Sequence, residues 1–256
     1  MNRHGAWLAA GLALALLVGC ASTEPPAKKP FVLAGSAAEN LLILPFNVTV
    51  PMPGKLDADS SVVWDELEAY FQIQGKQLKT VAFRDARRLW IASIQEVRAG
   101  KSSATAGFDD AARVLVQKLA RHAEFDTVII PSLFIREAPI LQKTASWDGV
   151  ERTVEIEAID GETEKAARDV PLEGIAPAAS IHAVVLDAGG VKLQEAQGGL
   201  ELLVRVRALS EASTPGGAPT FRFAERSPVF ADRAHLREGI ARALSPFLPP
   251  LLEQSD

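Results

Sequence analysis

The stretch Phe125-Asp126-Thr127-Val128-Ile129-Ile130-Pro131-Ser132 decides the fold of this chain, because it is the strongest strand signal in the sequence. Val128, Ile129 and Ile130 are three successive β-branched residues, which favour extended backbone. Successive side chains of a strand point to opposite faces, so an unbroken apolar run is typical of a strand that is buried on both faces. The sequence therefore predicts a central sheet strand over residues 126–135.

Strands and helices alternate in the part of the chain before this strand. Their order is strand, helix, strand, helix and helix, over residues 41–48, 60–74 and 78–83 and the two segments that follow Asp85 and Asp109. Each helix carries apolar residues three or four positions apart, the pattern of a helix with one buried face. Asp85 and Asp109 are expected to cap their helices, since a carboxylate accepts the free N–H groups at a helix start.

Antiparallel strands are expected after the central strand. Residues 153–159 alternate between apolar and polar side chains and predict one strand. Residues 181–187, the turn Ala188-Gly189-Gly190 and a return strand from Val191 predict a hairpin. Gly198-Gly199 marks an expected bulge, after which the return strand resumes.

The last element is a helix that starts at Asp232 and ends at Pro249-Pro250, and residues 160–179 and 214–219 are expected to be irregular. This order predicts the α/β (α+β) class. We expect a single domain over residues 39–253, in which a mixed β-sheet ends in an antiparallel C-terminal hairpin and helices pack on one face.

The composition supports a folded domain and limits its partners. Hydrophobic residues make up 48% of the chain, so a sizeable core is expected. The formal net charge is −5 and the basic residues are scattered, so we expect no nucleic-acid partner.

The N-terminus resembles a bacterial lipoprotein signal. Arg3 and His4 precede an apolar run over residues 6–18, which is shorter than the roughly 20 residues of a membrane-spanning helix. Leu17-Val18-Gly19-Cys20 follows and resembles the lipobox. The resemblance implies a signal peptide over residues 1–19 and lipidation of Cys20. An ordinary signal peptide with a chance cysteine is the competing interpretation.

Lipidation would make a bilayer the first partner of the mature chain. Cys20 is the only cysteine, so no disulfide can form within the chain. Residues 21–38 contain Pro25, Pro26 and Pro30 and predict a flexible tether. Ala21 and Ser22 lack the aspartate that retains lipoproteins at the inner membrane, so the sorting rule implies the periplasmic face of the outer membrane.

Three segments of the domain resemble one group of envelope proteins. They are Leu42-Ile43-Leu44-Pro45-Phe46, the stretch from Phe125 to Ser132, and the hairpin around Leu186-Asp187. The group includes the amino-terminal domain of the TolB protein, the curli secretion-channel lipoprotein and the lipoprotein activators of penicillin-binding proteins. Its members act by contact, so the resemblance implies a non-catalytic interaction or accessory module with an envelope protein as partner. A subunit of a curli-type secretion channel is the alternative.

Motifs of catalysis and of cofactor binding are absent from the sequence. No Gly-x-Ser-x-Gly elbow, phosphate-binding loop, dinucleotide fingerprint or His-Glu-x-x-His helix occurs, so we expect no enzyme activity and no cofactor. His122, His182 and His235 lie far apart and show no metal-ligand spacing. A hydrolase with an unrecognised site is a second alternative.

Four other features have both a functional and a structural interpretation, and we favour the structural one. Asp109-Asp110 reads as a helix start rather than a carboxylate pair, and Trp147-Asp148-Gly149 as a hairpin turn rather than a binding loop. The remaining aromatic residues are expected in the core rather than at a contact surface: Trp64, Trp90, Phe221, Phe223 and Phe230.

Overall fold

A computed structural model describes residues 40–100, 107–158, 170–209 and 220–248. The signal peptide, Cys20, the tether, the loop at 214–219 and Pro249-Pro250 lie outside these residues. The helices in the described part are α1 (Gly54–Asp57), α2 (Ser60–Ile73), α3 (Phe83–Gly100), α4 (Phe108–Leu119) and α5 (Arg233–Leu244). The strands are β1 (Asn40–Ile43), β2 (Gln77–Thr80), β3 (Thr127–Leu141), β4 (Thr144–Trp147), β5 (Val150–Thr153), β6 (Ile156–Ala158), β7 (Gly174–Asp187), β8 (Lys192–Leu202), β9 (Val204–Leu209) and β10 (Thr220–Glu225).

The strands form two sheets. The larger sheet contains parallel and antiparallel pairs and is accompanied by helices, which confirms the predicted α/β class with a mixed sheet. In the larger sheet β1 lies between β2 and β3 and runs parallel to both. The long β3 pairs antiparallel with β7 along its whole length, and β7 pairs antiparallel with β8. The hairpin of β4 and β5 continues from the far end of β3. The smaller sheet has the order β10-β9-β6.

Helices lie on both faces of the larger sheet, so the prediction of one covered face was wrong. Odd-numbered residues of β3 and β7, such as Ile129 and Ile181, pack with α2 and α5. Even-numbered residues, such as Ile130 and Val184, pack with α3 and α4. The burial of Val128, Ile129 and Ile130 is confirmed, since their exposed fractions are 1% or less. A third apolar cluster joins the far half of β3 and β7 to the β4–β5 hairpin and the smaller sheet.

Several boundaries differ from the predictions. Residues 153–159 are not one strand: β5 ends at Thr153 and belongs to the larger sheet, whereas β6 starts at Ile156 and belongs to the smaller one. Residues 174–179 were expected to be irregular, but they are the first part of β7, held by pairing with β3. These errors share one cause, since pairing with a distant strand overrides weak local signals.

The helix ends also need correction. Asp85 lies inside α3, which starts at Phe83, and Asp109 lies inside α4, whose preceding residue is Gly107. The cap at Asp232 is confirmed, because its side chain accepts the N–H groups of Ala234 and His235. The last helix ends at Leu244, before Pro249-Pro250.

The bulge next to Gly198-Gly199 is confirmed. Ala179 pairs with Glu201 whereas Ser180 pairs with Gly199, so Leu200 has no direct partner in β7. The extra residue lies where Gly198 meets the backbone of α5. The strand ends at Leu202, and β9 then turns into the smaller sheet.

Candidate functional site

The face of the larger sheet that carries α3 and α4 is open in its middle. At one end Val128 and Leu186 lie beneath the two helices, and at the other Ala138 and Ala178 lie beneath the β4–β5 hairpin and the smaller sheet. Between these covers is a groove of about 680 Å³, which we call the central groove. Its floor comes from alternate residues of β3, β7 and β8, and its wall from the start of α4 and the loop at residues 49–50.

Strand register brings polar side chains together on this floor. Ser132 of β3 lies directly opposite His182 of β7, and His182 lies opposite Gln197 of β8. Residues that face each other in an antiparallel pair project to the same side of the sheet. Glu195 is two residues from Gln197 in β8 and therefore joins the same row.

A chain of polar contacts crosses the central groove from the sheet to α4. His182 Nε2 lies 3.1 Å from Glu195 Oε1, and the other carboxylate oxygen of Glu195 accepts a hydrogen bond of 2.8 Å from Lys192. Lys192 Nζ also donates to Asp109 of α4 at 3.1 Å. The hydrogen bond from Lys192 lowers the pKa of Glu195, and the bonds to Glu195 and then Asp109 raise the pKa of Lys192. Both side chains are therefore held in their charged forms.

Arg136 is fixed at the opposite side of the central groove. Its Nη2 donates to Gln197 Oε1 at 2.6 Å, and its Nε lies 3.5 Å from Asp148 Oδ2 in the turn between β4 and β5. Its Cζ lies 4.5 Å from the centre of the Phe134 ring, within the range of a cation–π contact. The cations of the groove are thus engaged by partners within the protein.

Two apolar side chains at the rim of the central groove are partly exposed to solvent. Val50 is 44% exposed and Phe108 is 39% exposed, and both line the central groove. Phe108 rests against Trp90, with 5.6 Å between ring centres. Exposed apolar side chains beside a concave polar floor are typical of a surface that takes a partner.

A second groove of about 680 Å³ lies beyond the carboxyl ends of β1 and β2, where ligands often bind in α/β proteins. Phe46, Trp64 and Phe83 line it, and Phe46 meets Trp64 edge to face with 5.4 Å between ring centres. Val50 lines this groove as well as the central one. The loop that carries Val50 therefore separates two concave surfaces.

Asn47 holds this loop against the sheet. Its side-chain Nδ2 donates to the carbonyl oxygen of Leu133 at 2.9 Å, and its Oδ1 accepts the Leu133 N–H at 2.8 Å. The side chain thus takes the place of a strand at this edge of β3. Asn47 has a φ of 58°, a conformation that asparagine tolerates better than most residues.

The structure places the three histidines in separate parts of the fold. His122 is exposed beyond the end of α4, His182 lies in the central groove, and His235 Nδ1 lies 2.8 Å from the buried carboxylate of Glu201. Within the described ranges no group of His, Cys, Asp or Glu side chains is arranged to hold a metal ion. The stripe predicted through Ala111, Leu115 and Leu119 is buried, but His122 is not part of it.

Two structural interpretations from the sequence are confirmed. Asp109 and Asp110 lie in the first turn of α4, and Asp110 accepts the N–H of Gly107 at 3.5 Å. Asp148 and Gly149 form the turn between β4 and β5, with φ values of 39° and 81°.

The aromatic residues divide between core and surface. Trp90 and Phe230 are buried, and Phe221 packs against the third apolar cluster. Phe223 is 48% exposed, so the expectation that it belongs to the core was wrong. Trp64 is only half-buried because one side of it faces the second groove.

Sequence reasoning missed most residues of the central groove. Ser132, Arg136, Lys192 and Glu195 were not predicted as site residues. The pairing of β3 with β7 could not be read locally, and the predicted hairpin of β7 and β8 did not show that β8 meets α4. One signal in the sequence could have indicated these residues. Polar side chains occur at alternate positions of strands that were otherwise expected to be buried.

Cys20 lies outside the described residues, so its lipidation stays a prediction. Of the helices that the structure describes, none has both the length and the apolarity to cross a bilayer.

Comparison with known proteins finds no protein family, no curated protein and no solved structure that matches this chain. The likeness of three short segments to the TolB group also stays a prediction.

Proposed function

We propose that this protein is a lipid-anchored module of the bacterial cell envelope that binds a protein partner in the central groove and catalyses no reaction. The anchor is the acylated Cys20, on the periplasmic face of the outer membrane. The partner is a polypeptide segment that places apolar side chains against Val50 and Phe108.

The observation that carries the proposal is an uncovered region in the middle of one sheet face. The helices α3 and α4 cover this face at one end, and the β4–β5 hairpin and the smaller sheet cover it at the other. A gap of this kind leaves apolar rim residues in water, and a partner that buried them would gain about 25 cal/mol for each Å². The floor is already ordered by the contacts of Glu195 and Arg136, so little ordering is needed when a partner binds.

Charge also favours a polypeptide over a small ion. Lys192 and Arg136 each contact acceptors of the protein, and Glu195 contacts both Lys192 and His182. A strongly charged ligand would have to break these contacts. A segment with apolar anchors and a neutral backbone can use the rim while the charged contacts stay in place.

Photo-crosslinking in cells tests the binding site. A photoreactive residue at position 50 or 108 of the full lipidated chain should give one adduct of the same mass, and Phe134→Asp should abolish it. Position 73 is the matched control, because Ile73 is 60% exposed at the end of α2 and lines neither groove. The same adduct from position 73, or no adduct from positions 50 and 108, would overturn the proposal.

Mass spectrometry tests the anchor separately. The mature N-terminus should be Cys20 with acyl chains attached, and Cys20→Ser should release the protein from membranes. An unmodified mature terminus would contradict the anchor, whatever the crosslinking result.

A second candidate function is hydrolysis, and one arrangement favours it. Ser132, His182 and Glu195 line the same groove, and Ser132 lies directly opposite His182. Within the described residues, however, no hydrogen bond joins Ser132 Oγ to His182, and a serine nucleophile needs a base within about 3 Å. Labelling by a fluorophosphonate that Ser132→Ala removes would establish hydrolysis and overturn the non-catalytic proposal.

A further inference from the structure

The smaller sheet presents an outer face made largely of arginine. Val206 of β9 is buried in the third apolar cluster, and Ala208 of the same strand is also buried. Because neighbouring residues of a strand point to opposite faces, Arg205 and Arg207 point outward. Arg222 of β10 is directly opposite Arg207 and therefore shares this outer face. We call the surface of Arg205, Arg207 and Arg222 the arginine face.

In the described part of the chain, one carboxylate forms ion pairs with members of the arginine face. Glu157 of β6 is in register with Arg207, and it forms ion pairs with both Arg205 and Arg207. Arg222 is exposed and makes no ion pair with any described residue. Counted over the residues that the structure describes, the arginine face is thus net positive, on a chain whose formal charge is −5.

The arginine face contains one pair of like charges that oppose each other directly. Like charges directly opposite each other in an antiparallel pair destabilise a sheet, and Arg207 faces Arg222 in this way. An arginine at either place also loses more side-chain entropy on ordering than a short polar residue would. A negatively charged surface placed against this face removes the repulsion.

We propose that the arginine face lies on the anionic phospholipid headgroups of the membrane that holds the protein. The proposal rests on the anchor of the proposed function, because the anchor makes a weak surface contact sufficient. Nineteen residues lie between Cys20 and Asn40. Their fully extended length is about 65 Å, which is the greatest distance that this segment can span. Tethering at this range gives effective concentrations on the order of millimolar.

Charge complementarity sets the expected strength. Each arginine near an anionic bilayer contributes about 1 kcal/mol, which is about fivefold in partitioning. The attraction weakens as salt is added, because the Debye length falls from about 30 Å at 0.01 M to about 8 Å at 0.15 M ionic strength. Guanidinium groups also bind phosphate oxygens through two parallel hydrogen bonds, which suits lipid phosphate.

Vesicle sedimentation of an unanchored chain tests the proposal. A chain that begins at Ala21 lacks Cys20 but contains every residue of the three apolar clusters, which lie between Leu41 and Leu248. At low salt it should bind vesicles of half phosphatidylglycerol and half phosphatidylcholine and not bind pure phosphatidylcholine vesicles. Binding should weaken as salt is added.

Matched variants locate the surface. Arg207→Gln with Arg222→Gln should weaken partitioning about 25-fold, the product of two fivefold losses, and Glu157→Gln should strengthen it. Arg84→Gln with Arg98→Gln is the control, because it makes the same change in net charge on exposed positions of α3. Equal losses in both double variants, or no binding to anionic vesicles, would overturn the proposal.

Two further outcomes have a definite meaning. Equal binding of soluble polyphosphate and of anionic vesicles would assign the arginine face to a soluble polyanion and overturn the membrane contact. An unmodified Cys20 would remove the anchor without changing the vesicle result, so the two failures are distinguishable.

Discussion

Gly198 of β8 and Gly239 of α5 meet backbone to backbone, and a Cβ atom on Gly198 would lie 1.9 Å from the carbonyl oxygen of Gly239. This contact sets the distance between the C-terminal helix and the sheet. It also explains the glycine at position 198, since a side chain there would push α5 away.

Gly198→Ala is therefore expected to lower the free energy of unfolding by about 3 kcal/mol, at the upper end of the usual cost of overpacking. Urea denaturation of the two proteins measures the change. Gly100→Ala at the end of α3 is the control, because its Cβ would meet nothing within 4 Å, and its effect should stay within about 0.5 kcal/mol. Similar losses for both variants would contradict the close approach.

Asn47 is expected to stabilise the Val50 loop in two separable ways. Asn47→Ala leaves the N–H and carbonyl of Leu133 without partners and also forces alanine to a φ near 58°, so a loss of about 3 kcal/mol is expected. Asn47→Gly loses the same hydrogen bonds but tolerates that φ, so it should lose about 1 kcal/mol less. Urea denaturation gives both values, and an equal loss in the two variants would rule out the backbone contribution.

Lys192 is expected to control the charge of Glu195 in the central groove. The hydrogen bond from Lys192 holds the pKa of Glu195 down, so Lys192→Met should raise that pKa towards the ordinary value of a glutamate. Titration of the Glu195 carboxyl carbon by NMR measures the shift. Stability should change by less than about 1 kcal/mol, because the contacts are largely exposed.

Lys118→Met is the control for this titration. Lys118 is paired with Glu96 on neighbouring helices and does not line the central groove. It should leave the titration of Glu195 unchanged. A Glu195 titration that is the same in wild type and in Lys192→Met would show that the contact is not formed in solution.

Asp232 is expected to make stability depend on pH in the acid range. Hydrogen bonding from the backbone N–H of His235 is the largest cause that lowers its pKa, and His235 and Ala234 N–H groups lie within 3.2 Å and 2.9 Å of its carboxylate. A pKa that is lower in the folded state gives stability that is present above the unfolded value of about 3.9 and is lost as pH falls below it.

Asp232→Asn keeps an acceptor for the helix start but removes the titrating group. Its stability should therefore fall less between pH 5 and pH 2 than that of the wild type, whereas Asp232→Ala should lose about 1 kcal/mol at neutral pH. Urea midpoints across this range measure both effects. An acid loss in Asp232→Asn as steep as in wild type would mean that other carboxylates account for it.

The sequence alone predicted the elements that depend on local patterns. The buried run of Val128 to Ile130 identified the central strand, and helical spacing identified α2 with Val63, Leu67, Tyr70 and Phe71 buried. The β4–β5 turn and the Asp232 cap were also predicted, because each depends on residues that are close in sequence. Periodicity and capping report which face of an element is buried and where a helix starts.

Only the tertiary structure decided which surfaces meet. Lys192 reaches Asp109 across 83 residues of sequence, and Ser132 faces His182 because fourteen pairs of β3 and β7 fix the register. A one-residue shift would turn these side chains to the opposite face, and no local pattern pairs β3 with β7 or places β8 beside α4. The central groove and the arginine face both follow from strand register, and register is a long-range property.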